Sequence, residues 1–201
     1  MATLISITVF IVVIVVHELA HGYVAYRLGD TTARDAGRLT LNPLAHADPI
    51  GTVLLPALLV LSHSPVVFGW AKPVPVNPYN FRDPRRGMLL TSLAGPGANL
   101  LMALIFALIF KLGLFPASSI PGAFLVYGVI ISLVLGIFNL MPIPPLDGAQ
   151  IVSAVLPPGA ARRFAEVERY GFVIIIVLLY MGLFEKVIIP LVRFLTRVLL
   201  G

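Results

Sequence analysis

Residues 88–110 and 122–140 contain no Asp, Glu, Lys or Arg, and residues 4–28 are uncharged as far as Val16. A helix needs about 20 apolar residues to cross a hydrocarbon core of about 30 Å, and it satisfies every backbone polar group within itself. These stretches therefore decide the fold class: an all-α polytopic membrane protein. Residues 171–184 are apolar but short for a span. Residues 187–200 hold Pro190, Arg193 and Arg197, and read either as another short span or as an amphipathic helix at the interface. The expectation is a bundle of about four to six transmembrane segments. With 59% hydrophobic and 11% charged residues, no stretch is long and polar enough for an appended soluble domain. Residues 1–201 are read as one integral-membrane domain, with a catalytic core over about 4–150 and C-terminal membrane segments over 170–200.

The apolar run at 54–61 is too short to cross. Arg27, Arg34 and Arg38 precede it, and Lys72, Arg82, Arg85 and Arg86 follow it. A crossing would divide these basic clusters between the two sides, against the positive-inside tendency. Residues 50–65 are therefore expected to form a re-entrant or shallow segment, with extended loops between the first two spans. This puts the N-terminus outside and the basic loops, including Arg162, Arg163 and Arg169, in the cytoplasm. The net charge of +5 belongs to those loops and implies no nucleic-acid partner.

Within the first span stands His17-Glu18-Leu19-Ala20-His21. An ionisable group at the centre of a span costs roughly 2.5–3.5 kcal/mol, so something must offset it. Positions i and i+4 of a helix lie about 40° apart around the axis and roughly 6 Å along it. His17 and His21 can thus share one Zn²⁺, with Glu18 beside them as general base toward a water. A catalytic zinc site has three protein ligands and one open position. The chain has no cysteine, so the third ligand must be a histidine or carboxylate: His46, His63, Asp30, Asp35, Asp48, Asp83 or Asp147. Asp147 follows the inner end of the third span, at the depth of the two histidines. It sits after Pro142, Pro144 and Pro145, which break the helix, and before Gly148, which permits a tight turn. His46 lies in a stretch rich in Asx and Pro, and is read as orienting substrate or bonding a loop carbonyl. His63 reads as a loop residue.

These motifs resemble the site-2 protease family of intramembrane zinc metalloproteases, in its compact form without PDZ or CBS modules. His17 to His21 looks like the family's zinc motif. Asn139 to Gly148 is similar to its N-x-x-P-x-P-x-x-L-D-G element, and Asn42 to Gly51 to its N-P-x-x-H-x-D-P-x-G stretch. Gly69 to Pro78 and Ala94 to Asn99 also resemble family segments.

The resemblance implies one Zn²⁺ per chain held by His17, His21 and Asp147, and cleavage within or near a transmembrane segment of another membrane protein. It assigns Glu18 to proton transfer and Asn139 to hydrogen bonding of substrate or oxyanion. His46, Val74 and Val76 are further substrate-binding candidates, the last two through strand addition on Val74-Pro75-Val76. Pro73 and Pro75 lack donors, so that edge pairs only in part. The expected setting is a prokaryotic plasma membrane, with the active site toward the cytoplasm. Two alternatives remain at this level: an ion transporter, and a non-catalytic zinc protein that grips transmembrane helices. The uncharged second and third spans speak against transport, and the retention of Glu18 against an inactive scaffold.

Overall fold

The computed structural model describes residues 1–62 and 69–201, so His63 lies outside the described residues. Those residues form helices and connecting segments, with no strand among them. In chain order the α-helices are α1 (Ala2–Arg27), α2 (Thr32–Asp35), α3 (Leu55–Leu61), α4 (Pro84–Lys111) and α5 (Ile120–Asn139). They continue with α6 (Asp147–Val155), α7 (Pro158–Glu168), α8 (Gly171–Tyr180) and α9 (Ile189–Leu200).

α1, α4 and α5 are each long and apolar enough to cross a membrane. α8 and the segment Phe184–Leu200 amount to a fourth span if counted together, although they meet at a bend of 69°. The chain is therefore a helical membrane protein with three to four candidate spans, of which only the upper count reaches the low end of the expected range. Apolar residues between Pro49 and Leu59 form a shorter helical piece, below spanning length.

The three long helices pack on one another. Ile5, Val9 and Val13 of α1 are buried against Met102 and Phe106 of α4 and Tyr127, Ile131 and Leu135 of α5. Ala103 and Ala107 of α4 meet Val129 and Leu133 of α5, and Ile188 and Val192 close this second cluster. Small side chains on α4 let the helix axes approach closely, which in lipid is the main source of helix association. α9 thus buries Val192 in the bundle and leaves Arg193 and Arg197 exposed.

Polar contacts fix the helix ends. Asp83 caps α4, its carboxylate accepting from the N–H groups of Arg85 and Arg86. Arg85 reaches α6 from there, its guanidinium donating to the carbonyls of Ala154 and Leu156. That bond ties the C-terminal end of α6 to the start of α4.

Residues 70–77 form a strap without helix or sheet, held by hydrogen bonds along its length. Trp70 N–H donates to Gly51 O at 3.1 Å and Lys72 N–H to His46 O at 2.9 Å. Lys72 O accepts from Arg38 Nη2 at 2.6 Å. Asn77 N–H donates to Asp30 Oδ2 at 2.8 Å. Asp30 is fully buried just past α1 and also accepts from Thr32 and from Asn80 Nδ2. Burial pushes its pKa up, but the hydrogen bonds from Thr32, Asn77 and Asn80 outweigh that and hold the carboxyl below its ordinary value. A depressed carboxyl stabilises the fold above its unfolded-state pKa and loses that contribution as pH falls through the lowered value.

Candidate metal centre

α1 presents His17 and His21 one turn apart, both buried, on the side facing α4. Asp147 arrives as the first residue of α6. Its approach depends on Gly148, where a Cβ would collide with the carbonyl oxygens of Leu140 and Met141. The end of α5 and the start of α6 therefore touch backbone to backbone, and this brings the carboxylate inward.

Three ligand atoms converge. His17 Nε2 lies 3.0 Å from His21 Nε2. Asp147 Oδ2 is 3.2 Å from the first and 3.3 Å from the second. That oxygen is buried and makes no hydrogen bond. Ligands held tetrahedrally at about 2.0–2.1 Å from a zinc ion stand roughly 3.3 Å apart, so the spacing suits such an ion. Two imidazoles and one carboxylate form a donor set that zinc accepts, with one position left over.

Gly95 of α4 faces this cluster. A Cβ there would come within 2.6 Å of His17 Cε1 and closer still to His21 Nε2. The rings are braced from the same helix: Thr91 O lies 2.7 Å from His21 Nδ1, and the Asn99 amide nitrogen 3.0 Å from His17 Nδ1. Thr91, Gly95 and Asn99 are spaced i, i+4, i+8 and so lie along one stripe of α4. From sequence, the small residues of Ala94 to Asn99 suit close helix packing, and Asn99 suits a hydrogen bond across the bundle in support of the site. The parts of Thr91 and Gly95 in the site were missed because one contact is a backbone carbonyl and the other is an absent side chain. The available signal was the stripe of small and polar residues at helical spacing inside a span.

Glu18 points toward the strap, and its Oε2 accepts from Val74 N–H at 2.9 Å. The edge expected at Val74–Val76 is thus already engaged at Val74. With Pro73 and Pro75 lacking an N–H, Val76 holds the only donor left between residues 73 and 76.

Asn139 sits half-buried at the end of α5, where Nδ2 donates to Leu135 O at 3.0 Å. His46 is buried away from the cluster, with Nε2 2.9 Å from Thr40 O and its own carbonyl bound by the strap. The other candidates for third ligand have local partners. Asp48 accepts from the N–H groups of Ile50 and Gly51, Asp83 caps α4, and Asp35 pairs with Arg34 at 2.9 Å. Among the described residues, His17, His21 and Asp147 are the group placed to share a metal ion.

An H-E-x-x-H helix whose histidines meet a carboxylate inside a bundle of apolar helices defines a membrane metalloprotease. The sequence profile of peptidase family M50 matches residues 116–182. The Bacillus subtilis (strain 168) protein named "Putative zinc metalloprotease YwhC" is 41% identical over 190 residues, covering 91% of this chain and 83% of that protein. "Putative zinc metalloprotease Rip2" of Mycolicibacterium smegmatis is 31% identical over 163 residues, covering 81% of this chain and 61% of the relative. The Mycobacterium tuberculosis (strain H37Rv) protein of the same name is 30% identical over 169 residues, covering 84% and 64%. No solved structure matches the chain significantly. The chain belongs to peptidase family M50, the site-2 protease family.

Proposed function

We propose that this protein is an intramembrane zinc metalloprotease that hydrolyses a peptide bond within or near a transmembrane segment of another membrane protein. The observation that carries the reading is the meeting of three buried ligand atoms, two of them from a helix that is apolar enough to span and also carries Glu18. His17, His21 and Asp147 would hold one zinc ion per chain. When bound, zinc supplies Lewis-acid activation of water and of the scissile carbonyl.

Glu18 accepts the proton of the attacking water and later delivers it to the leaving amine. Its neighbour Val74 orients the carboxylate through the N–H bond at Oε2. Asn139 is the candidate to turn its amide from Leu135 O toward a developing oxyanion. Val74 and Val76 are the candidates to meet an unwound substrate segment, and His46 holds their strap through its carbonyl, which accepts from Lys72 N–H. Substrate must unwind locally, since a helix hides its backbone in internal hydrogen bonds.

Arg27 in the last turn of α1, Arg85 and Arg86 in the first turn of α4, and Arg169 just past α7 support a cytoplasmic position for this end of the bundle. Bacterial relatives fit a prokaryotic plasma membrane.

The test is cleavage of a membrane-embedded helical substrate by the purified chain in proteoliposomes. Cleavage is expected to stop on chelation and return with added zinc. Cleavage that persists in the metal-stripped chain would end the metalloprotease reading.

A further inference from the structure

Glu18 meets the strap through one bond at Val74 N–H, and two further contacts seat the strap on α1 and its cap. Val74 lies against Gly22, one turn on from Glu18, where a Cβ would stand 3.0 Å from Val74 Cγ1. Beyond Val74, Pro75 has no N–H. The next bonded strap amide among the described residues is that of Asn77, which donates to Asp30 Oδ2 at 2.8 Å.

Asp30 is fixed to the helix that carries Glu18. Gly29 takes a left-handed φ of 107°, which turns the chain back so that Asp30 N–H reaches Ala25 O at 3.0 Å. The two oxygens of this fully buried carboxylate have separate tasks. Oδ1 accepts from Thr32 N–H at 3.1 Å, from the Thr32 hydroxyl and from Asn80 Nδ2 at 2.7 Å, and so fixes the corner after α1. Oδ2 accepts from Asn77 alone. Residues 74–77 are thus tied at both ends to one rigid element, by Glu18 at one end and Asp30 at the other.

We propose that Asp30 is a positioning residue for the reaction: through Asn77 it seats residues 74–77 so that Val74 N–H aims the Glu18 carboxylate. A glutamate side chain turns about three bonds, so its direction depends on the donor that holds it. A strap untied at Asn77 lets that donor shift, and a displacement of about 1 Å in a reacting group can cost 10²-fold in rate. The proposal rests on the protease reading above, in which Glu18 carries the proton.

The test compares wild type, Asp30→Asn and Asn80→Ala as zinc-loaded full chains in proteoliposomes. Asn keeps the size of Asp30 and turns its one oxygen to the three Oδ1 donors. Its NH₂ then faces Asn77 N–H, so this variant unties the strap and spares the corner. Asn80→Ala removes a corner donor and leaves the strap tied. Asp30→Asn is expected to lower kcat by about 10- to 100-fold, with KM and zinc content near wild type. Hydrogen exchange supplies a readout apart from activity. Residues 73–76 carry two amide hydrogens, those of Val74 and Val76, because Pro73 and Pro75 have none. Exchange at Val74 should quicken about 10-fold in Asp30→Asn, and Asn80→Ala should match wild type in both measurements. Wild-type kcat in Asp30→Asn would overturn the proposal. A loss of kcat with Val74 still protected would also overturn it, because Asp30 would then act by another route. Equal losses in Asp30→Asn and Asn80→Ala would reduce Asp30 to a support of the corner. A zinc-loaded wild-type chain that does not cleave would overturn the protease reading itself, a failure distinct from these.

Discussion

Glu18→Gln is expected to retain zinc and to lose cleavage, with kcat falling by about 10²- to 10⁴-fold, the usual contribution of a positioned general base. Glutamine has nearly the same shape, and its amide oxygen still accepts from Val74 N–H. The strap should therefore stay where it is, while the proton acceptor is gone. The bond at 2.9 Å makes this a sharp test, because it gives Glu18 a second occupation as an anchor for residues 70–77. If Gln retained full activity with zinc in place, Glu18 would be an anchor and nothing more. If Gln lost zinc as well, the carboxylate would belong to the metal site and not to proton transfer.

Gly95→Ala has the next largest expected effect, and its sign reverses the usual one. In a helix interior, alanine in place of glycine ordinarily stabilises by about 0.8–1.0 kcal/mol. Here the new methyl meets both imidazoles, 2.6 Å from His17 Cε1 and nearer to His21 Nε2. Both rings are held at Nδ1 by Thr91 O and Asn99 of the same helix, so a ring that retreats from the methyl gives up that contact. Overpacking of this kind costs about 1–3 kcal/mol. Taken from the metal-binding step, that is roughly a 5- to 150-fold loss of zinc affinity. Chelator competition on the purified variant reads it directly, with helix content by circular dichroism as the control for folding. Zinc affinity unchanged in Gly95→Ala would mean that the metal lies away from the face of α4.

Different parts of the molecule were legible in the sequence for different physical reasons. The long helices could be read because lipid excludes charge, so the absence of Asp, Glu, Lys and Arg over 88–110 and 122–140 marks α4 and α5 directly. His17, Glu18 and His21 stood out because their residue types are rare at that depth. Asp147 followed from a matching of depths, since α1 ends and α6 begins at the same side of the bundle. What escaped the sequence depends on backbone atoms and on tertiary approach. The carbonyl of Thr91 has no residue signature, and Gly95 acts through the side chain it lacks. Val74-Pro75-Val76 reads from sequence as a covering loop or a partial edge, and the bond of Val74 N–H to Glu18 across 56 positions of sequence is a pairing no local pattern encodes. The bend of 69° between α8 and the segment that ends in α9 belongs to the same class, as it reflects how Ile188 and Val192 dock on α4 and α5.

The most direct measurement is the zinc content of the detergent-purified chain, wild type beside Asp147→Ala. About one zinc per chain in wild type, falling close to zero in the variant, is the result expected of a three-ligand site with one open position. Full zinc retention in Asp147→Ala, or none in wild type after reconstitution, would contradict a metal centre built from His17, His21 and Asp147.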